Sequence, residues 1–297
     1  MTTRRTWLLA ALSSCAGLAA SSRFALAAQF DVPSFQKRIR QIEEFSNGGR
    51  LGVALLDTST EKIVGYNLNQ RFPMCSTFKI LLVGAVLKRV DQRAEKLDRI
   101  VHFTQKDLVP YSPATEKRVG DVGISIEELC IAAITLSDNT AANLLLGSIG
   151  GPPAVTAFAR KLGDNVSRLD RMEIELNEAR PGDLRDTSSP ESMVSDLQKL
   201  VLGKVLSESS RAKLTQWLID NKTGDKRLRA GLPAGWKVGD KTGSGEMGTS
   251  NDLAIIWPPK RSPILVAAYL TQSKLNGDQR NDTIAAVGKV VADMVRH

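Results

Sequence analysis

Strand-forming segments in this chain fall at its two ends, and the long stretch between them carries a helical repeat. Near the N terminus, Leu51 to Asp57 and Lys62 to Tyr66 are apolar runs joined by the turn-forming Thr58-Ser59-Thr60. Strand character returns only after Leu232-Pro233-Ala234-Gly235, in Trp236-Lys237-Val238-Gly239, Asp252 to Trp257 and Ile264 to Leu270. Between these groups, apolar spacing predicts helices over Ser76 to Val90, Ser125 to Leu136, Asn139 to Ser148, Pro153 to Leu162, Pro190 to Leu202 and Glu208 to Asp220. Two more are predicted outside them: Val32 to Phe45, with Phe35, Ile39 and Ile42 on one face, and Asp278 to Arg296. The arrangement implies an α/β fold of the α+β type. A five-stranded antiparallel sheet assembled from both termini is flanked by the terminal helices, and an all-α lobe is inserted into it. The expected boundaries are 29–70 and 221–297 for the sheet lobe and 71–220 for the helical lobe, with the functional site in the cleft between them.

Composition narrows the chemistry open to such a cleft. A chain of 297 residues that is 42% hydrophobic and 24% charged suits a globular protein rather than a disordered one. His102 and His297 are its only histidines, and Cys15, Cys75 and Cys130 its only cysteines, with no CxxC, HxH or HExxH spacing. A zinc site is therefore all but excluded. A Ser-His-Asp hydrolase would need His102 as its base. That residue sits in the alternation Val101-His102-Phe103-Thr104, which suits a strand edge or a surface, and no GxSxG elbow occurs. Net charge is +8 without any block of five or six basic residues, and aromatic residues make up only 5%. Both observations argue against a nucleic-acid partner.

The first 28 residues read as an export signal: Arg4-Arg5, the short apolar run Trp7 to Leu12, then Ala25-Leu26-Ala27 as a cleavage site. The paired arginines suit a twin-arginine signal, although ordinary secretory signals also carry them. Leu12-Ser13-Ser14-Cys15 offers an alternative, a lipoprotein box that would leave Cys15 lipid-anchored. Removing the segment leaves a net charge of +5. No later segment approaches the ~20 apolar residues of a membrane span. A monomer in the periplasm is the expectation.

Three short motifs carry the chemistry. Ser76-Thr77-Phe78-Lys79 opens the longest apolar helix, and a three-residue spacing puts hydroxyl and amine on one helix face, where an unprotonated lysine can take the serine proton. The pattern alone is weak, since Ser34, Ser59 and Ser210 also precede a lysine by three residues. What distinguishes Ser76 is a proline-containing loop feeding a helix N terminus, where free N–H groups favour developing negative charge. The apolar run after Lys79 predicts partial burial, which favours the neutral amine. Ser137-Asp138-Asn139 begins a second helix and, read alone, is equally a set of helix-capping residues. Lys241-Thr242-Gly243 lies late on a predicted strand, whereas its second copy, Lys222-Thr223-Gly224, reads as a loop that ends a helix.

In combination and in this order, the motifs resemble those of the class A serine β-lactamase family. The resemblance runs from about Phe35 to Val295 and includes the stretch Leu136 to Leu146. Penicillin-binding proteins share the three motifs, but Arg171-Met172-Glu173-Ile174-Glu175-Leu176-Asn177, followed by Arg185-Asp186-Thr187, is similar to the omega loop of class A enzymes. The resemblance implies hydrolysis of penicillins and cephalosporins without metal or cofactor. Ser76 would be the nucleophile, and Lys79, or Glu173 through water, its base. Glu173 and Asn177 would hold the hydrolytic water, and the N–H groups of Ser76 and Ser244 would form the oxyanion hole. Ser137 would relay a proton to the leaving nitrogen, Asn139 would hold the acyl side-chain amide, and Tyr111 would wall the entrance. Lys241, Thr242 and Gly243 would face the substrate carboxylate.

This chain departs from the commonest family pattern at four places. Ile174 follows Glu173 where proline is frequent, and Ser250 stands where many relatives carry an arginine, so Arg227 is expected to supply that charge, as in some relatives. Val83 and Gly245 stand where some relatives place cysteines that pair with the counterparts of Cys130 and Cys75, so both thiols are expected to be free and buried. Two rival functions use the same Ser-Lys machinery, a peptidoglycan DD-peptidase and a covalent β-lactam receptor that stays acylated. The Glu173 element argues against both.

Overall fold

The structure, a computed structural model, describes residues 31–120 and 122–296. The export-signal expectation, Cys15 and His297 all lie outside the described residues. The first half contains α1 (Val32–Glu44), β1 (Arg50–Asp57), β2 (Lys62–Tyr66), β3 (Phe72–Pro73), α2 (Lys79–Asp91), β4 (Ile100–Val101), β5 (Ile124–Ser125), α3 (Ile126–Ile131), α4 (Asn139–Ile149) and α5 (Pro152–Lys161). The second half adds β6 (Thr187–Ser188), α6 (Pro190–Val201), α7 (Glu208–Ile219), α8 (Leu228–Gly231), β7 (Lys237–Gly245), β8 (Thr249–Trp257), β9 (Ile264–Thr271) and α9 (Gly277–Arg296).

The main sheet has five antiparallel strands in the order β2-β1-β9-β8-β7, so the N-terminal hairpin is inserted beside the last strand. Both faces are covered. Leu51, Val53 and Leu55 share one core with Phe35 and Ile39 of α1 and Val287 and Val291 of α9. Ala54 and Leu56 share the other with α2 and with Met193 and Leu197 of α6. Burial on both sides explains why β1 reads as a continuous apolar run rather than an alternating one. Side chains set the helix ends: Asp31 accepts from the Ser34 N–H ahead of α1, and Ser189 and Ser207 cap α6 and α7 in the same way. Ile80 to Leu87 of α2 are all buried, so this helix runs through the middle of the helical region.

The observed elements differ from the predicted ones mainly around the cleft. Strand β7 extends six residues beyond the expected Gly239, because Lys241 pairs with Leu253 and the register continues to Gly245 opposite Thr249. Polar side chains and three glycines hide it from a pattern search. The predicted helix from Ser76 begins as a tighter 3-10 turn, Cys75–Phe78, before the α-helix proper. The predicted helix Ser125 to Leu136 is a short α-helix ending in a π turn, Ala132–Leu136.

Candidate active site

Four segments meet at a cavity of about 460 Å³ lined by Ser76, Tyr111, Ser137, Asn139, Asn177, Lys222, Thr223, Arg227, Thr242 and Ser244. The first is the turn that opens α2. With three residues per turn, a 3-10 turn stacks positions i and i+3, and Lys79 Nζ lies 3.0 Å from Ser76 Oγ. Lys79 is fully rather than partly buried. Its ammonium also donates to the Ser137 carbonyl (2.8 Å) and to Asn139 Oδ1 (2.7 Å), and pairs with Glu173 Oε1 (2.9 Å). Burial pulls the lysine pKa down while the adjacent carboxylate opposes that shift. The neutral amine is thus easier to reach than on a free lysine.

The second segment shows how Ser137-Asp138-Asn139 divides its work. Asp138 is the cap, accepting from the N–H groups of Ala114, Thr115 and Ala141. Ser137 adopts a left-handed backbone (φ 58°), and its Oγ accepts from Lys241 Nζ at 2.9 Å. Asn139 donates through Nδ2 to the Pro110 carbonyl, and its N–H donates to that of Tyr111, which fixes the exposed Tyr111 at the rim.

The third segment carries the carboxylate. Ser76 Oγ donates to Glu173 Oε1 (3.2 Å), and Asn177 Nδ2 donates to Glu173 Oε2 (2.5 Å). The Glu173–Ile174 peptide bond is cis. Asp186 fastens the loop base: its carboxylate accepts from Arg171 Nε (2.6 Å) and from the N–H groups of Asp170 and Arg171, and its carbonyl accepts from Met74 N–H. Asn143 clasps the loop from α4, donating to the Glu173 carbonyl (2.8 Å) and accepting from the Glu173 N–H (2.9 Å).

The fourth segment is β7. Gly243 passes so close to the α2 turn that a Cβ there would lie 2.8 Å from the Met74 carbonyl oxygen and 3.3 Å from Ser76 N. Only glycine lets the strand approach the nucleophile's backbone this closely. Gly245 abuts Cys75 Sγ and the Asn177 carbonyl in the same way, and Cys75 and Cys130 are buried free thiols. Lys241 is fully buried, and its ammonium donates to Ser137 Oγ and to the Thr242 carbonyl. Burial, reinforced by the nearby Lys79 charge, drives its pKa well below that of a free lysine.

Arg227 is buried beside this strand, not part of a solvated basic turn. Its guanidinium donates to the carbonyls of Gly243 and Asn251, to Asn281 Oδ1 and to Ser244 Oγ. Ser250 is buried, and its Oγ accepts from Arg280 Nε. Every predicted site residue therefore lies at or against this cavity. His102 is exposed just after β4, away from the cavity lining. Sequence reasoning missed the Asn143 clasp, and although Lys222-Thr223-Gly224 is the loop after α7 that it reads as, Lys222 and Thr223 also line the cavity, which it did not foresee. Among the described residues no cluster of three potential metal ligands occurs, and no helix is long and apolar enough to cross a membrane.

A buried serine, lysine and carboxylate converge on one polar cleft, the arrangement that a class of enzymes with a serine nucleophile needs. Comparison with known proteins narrows it. The model of the β-lactamase enzyme family matches residues 34–295. The β-lactamase CTX-M-8 of Citrobacter amalonaticus is 47% identical over 258 residues, 87% of this chain and 88% of that protein. The β-lactamase OXY-1 of Klebsiella oxytoca is 43% identical over 290 residues, 98% and 97% of the two chains. Among solved structures, an ancestral (GNCA) class A β-lactamase superposes with a TM-score of 0.86 at 59% identity, covering 87% of this chain and 99% of its own. The chain belongs to the β-lactamase family and is a class A serine β-lactamase, an enzyme that hydrolyses β-lactams and so gives antibiotic resistance.

Proposed function

We propose that this enzyme opens penicillins and cephalosporins through an ester on Ser76 and releases the product with a water activated by Glu173. The observation that carries the reading is the double engagement of Glu173, one carboxylate oxygen on Ser76 Oγ and the other on Asn177 Nδ2. A water drawn in beside the ester would meet a base and an amide held in fixed positions.

In acylation, Ser76 Oγ attacks the lactam carbonyl carbon and gives its proton to a base. Lys79 Nζ at 3.0 Å and Glu173 Oε1 at 3.2 Å are both within reach. The carbonyl oxygen becomes an oxyanion facing the N–H groups of Ser76 and Ser244, a contribution that is typically among the largest in acyl transfer. The C–N bond then breaks. The departing nitrogen takes a proton from Ser137 Oγ, which recovers one from the adjacent lysines. In deacylation, Glu173 takes a proton from water as its oxygen attacks the ester, and the Ser76 oxygen leaves with a proton returned to it. Asn139 holds the acyl side-chain amide, and Tyr111 walls the entrance. Thr242, Gly243, Ser244 and Arg227 surround the substrate carboxylate, with Lys241 supplying positive potential from beneath.

The pattern of residues 1–28 supports export to the periplasm, and a monomer suffices because one chain supplies the whole site. Residues 29–70 and 221–297 serve as the sheet lobe and 71–220 as the helical lobe. The test is Glu173→Ala. A penicillin should leave a stable covalent adduct on Ser76 by mass spectrometry, with deacylation slowed ~10²–10⁴-fold. Loss of the adduct at the wild-type rate would remove Glu173 as water activator. Steady-state turnover of a chromogenic cephalosporin by the wild type bears on the acylated-receptor alternative, for which product would stop at one equivalent per enzyme.

A further inference from the structure

The second Lys-Thr-Gly copy does more than end a helix. Past α7 the chain runs alongside β7, held by two contacts to that strand and one to the π turn Ala132–Leu136. Asn221 Nδ2 donates to Asp240 Oδ2 (3.0 Å), Thr223 Oγ1 lies 2.5 Å from Thr242 Oγ1, and the Lys222 N–H donates to the Thr135 carbonyl (2.9 Å). Gly224 completes the fit, since a Cβ there would fall 1.7 Å from the Asp240 carboxylate. The loop thereby forms a wall of the cavity beside Thr242, Ser244 and Arg227.

The two cations lining the cavity differ in what they already hold. Arg227 is buried and spends hydrogen bonds on four protein acceptors. Lys222 is exposed at the lip, and among the described residues its ammonium has no hydrogen bond and no ion pair. The lining contains no acidic side chain. One ring carboxylate occupies the inner groups, and any further negative charge on that side of the substrate meets an uncompensated ammonium.

We propose that Lys222 is a specificity-determining residue that favours β-lactams bearing a second anionic group on the ring that carries the carboxylate. The inference rests on the reading of Thr242, Ser244 and Arg227 as the carboxylate subsite. Because the ammonium is solvated, its effect is modest and weakened by salt.

The experiment compares two cephalosporins with the same acylamino side chain, one with a neutral acetoxymethyl group at C3 and one with a sulfonate-bearing group there. The quantity read is the ratio of kcat/KM for the dianionic over the monoanionic substrate. At low salt, Lys222→Gln should lower this ratio roughly 2- to 5-fold, chiefly through KM. Lys222→Arg should retain the ratio, Lys222→Glu should lower it further, and high salt should erase the wild-type preference. Lys226→Gln is the control, because Lys226 pairs with Asp278 outside the cavity and should leave the ratio alone. An unchanged ratio in Lys222→Gln, or an equal fall in Lys226→Gln, overturns the proposal. Arg227→Ala, run in parallel, separates the two readings. A loss on both substrates upholds the subsite whatever Lys222 does, and wild-type rates on both would bring subsite and proposal down together.

Discussion

Arg227→Ala tests how this enzyme recognises a substrate carboxylate without an arginine at position 250. The guanidinium has five N–H donors. Four are engaged, by Gly243 O (2.7 Å), Asn251 O (2.6 Å), Asn281 Oδ1 (3.0 Å) and Ser244 Oγ (2.6 Å), which leaves one on Nη2, the atom bonded to the cavity-lining Ser244. A hydrogen bond from a charged donor to a carboxylate is worth ~1.5–3 kcal/mol, so kcat/KM for penicillins should fall roughly 10- to 150-fold. The loss should not lie in KM alone, because the same side chain holds Ser244 and the Gly243 carbonyl on the strand that abuts Ser76. Steady-state kinetics at low salt, with a thermal melt of each variant, separates lost recognition from lost folding. Adding Ser250→Arg should recover part of the loss. Ser250 pairs with Ser244 across β7 and β8, so their side chains share a face and a new guanidinium would enter from the neighbouring strand. Wild-type kinetics in the single mutant would refute the reasoning and leave carboxylate recognition to Lys241 and Thr242.

Two other perturbations probe the frame around the site. Asp186→Ala removes a nearly fully buried carboxylate that pairs with Arg171 and accepts two N–H groups, and breaking a buried pair typically costs ~3–5 kcal/mol. Amide exchange over residues 171–187 should quicken and penicillin turnover should weaken, whereas unchanged exchange would mean that the loop is held by other contacts. Asp196 is buried beside Asp164, and burial together with that neighbour's charge raises its pKa to about 8. A carboxyl whose folded pKa exceeds its unfolded value favours the folded state most at low pH, and that contribution declines as pH rises from about 4 to about 8. Asp196→Asn removes the dependence. Its stability advantage over wild type should therefore grow by roughly 2–4 kcal/mol between pH 5 and pH 8, and parallel denaturation profiles would exclude a buried proton at Asp196.

Which parts of this enzyme could be read from its sequence follows from where each residue's partners lie. Strands β1 and β9, and β8 from Leu253 onward, announced themselves because both sheet faces are buried and their side chains are almost all apolar, whereas the polar start of β8, Thr249 to Asn251, was not read as strand. The outer half of β7 did not, since Lys241 to Gly245 alternate polar side chains with glycine, Thr242 and Ser244 lining the cavity, and pairing with β8 is what holds them extended. The Ser76–Lys79 contact was legible because it is local, three residues apart on one turn. Arg227 could be reached only through the resemblance, some relatives carrying their arginine at its position, and its burial depends on carbonyls 16 and 24 residues further on. The two Lys-Thr-Gly copies make the point most sharply. Sequence context correctly favoured Lys241 as the member on a strand, but nothing local could reveal that Asn221 and Gly224 fit against Asp240 and carry the other copy into the same cavity. A motif read as the loop that ends α7 is also brought to the site by two contacts that only the folded sheet supplies. The charge it leaves there, free at the lip while Lys241 is buried and hydrogen-bonded beneath, is the one the Lys222 variants test as a source of preference among substrates that all share one reacting ring.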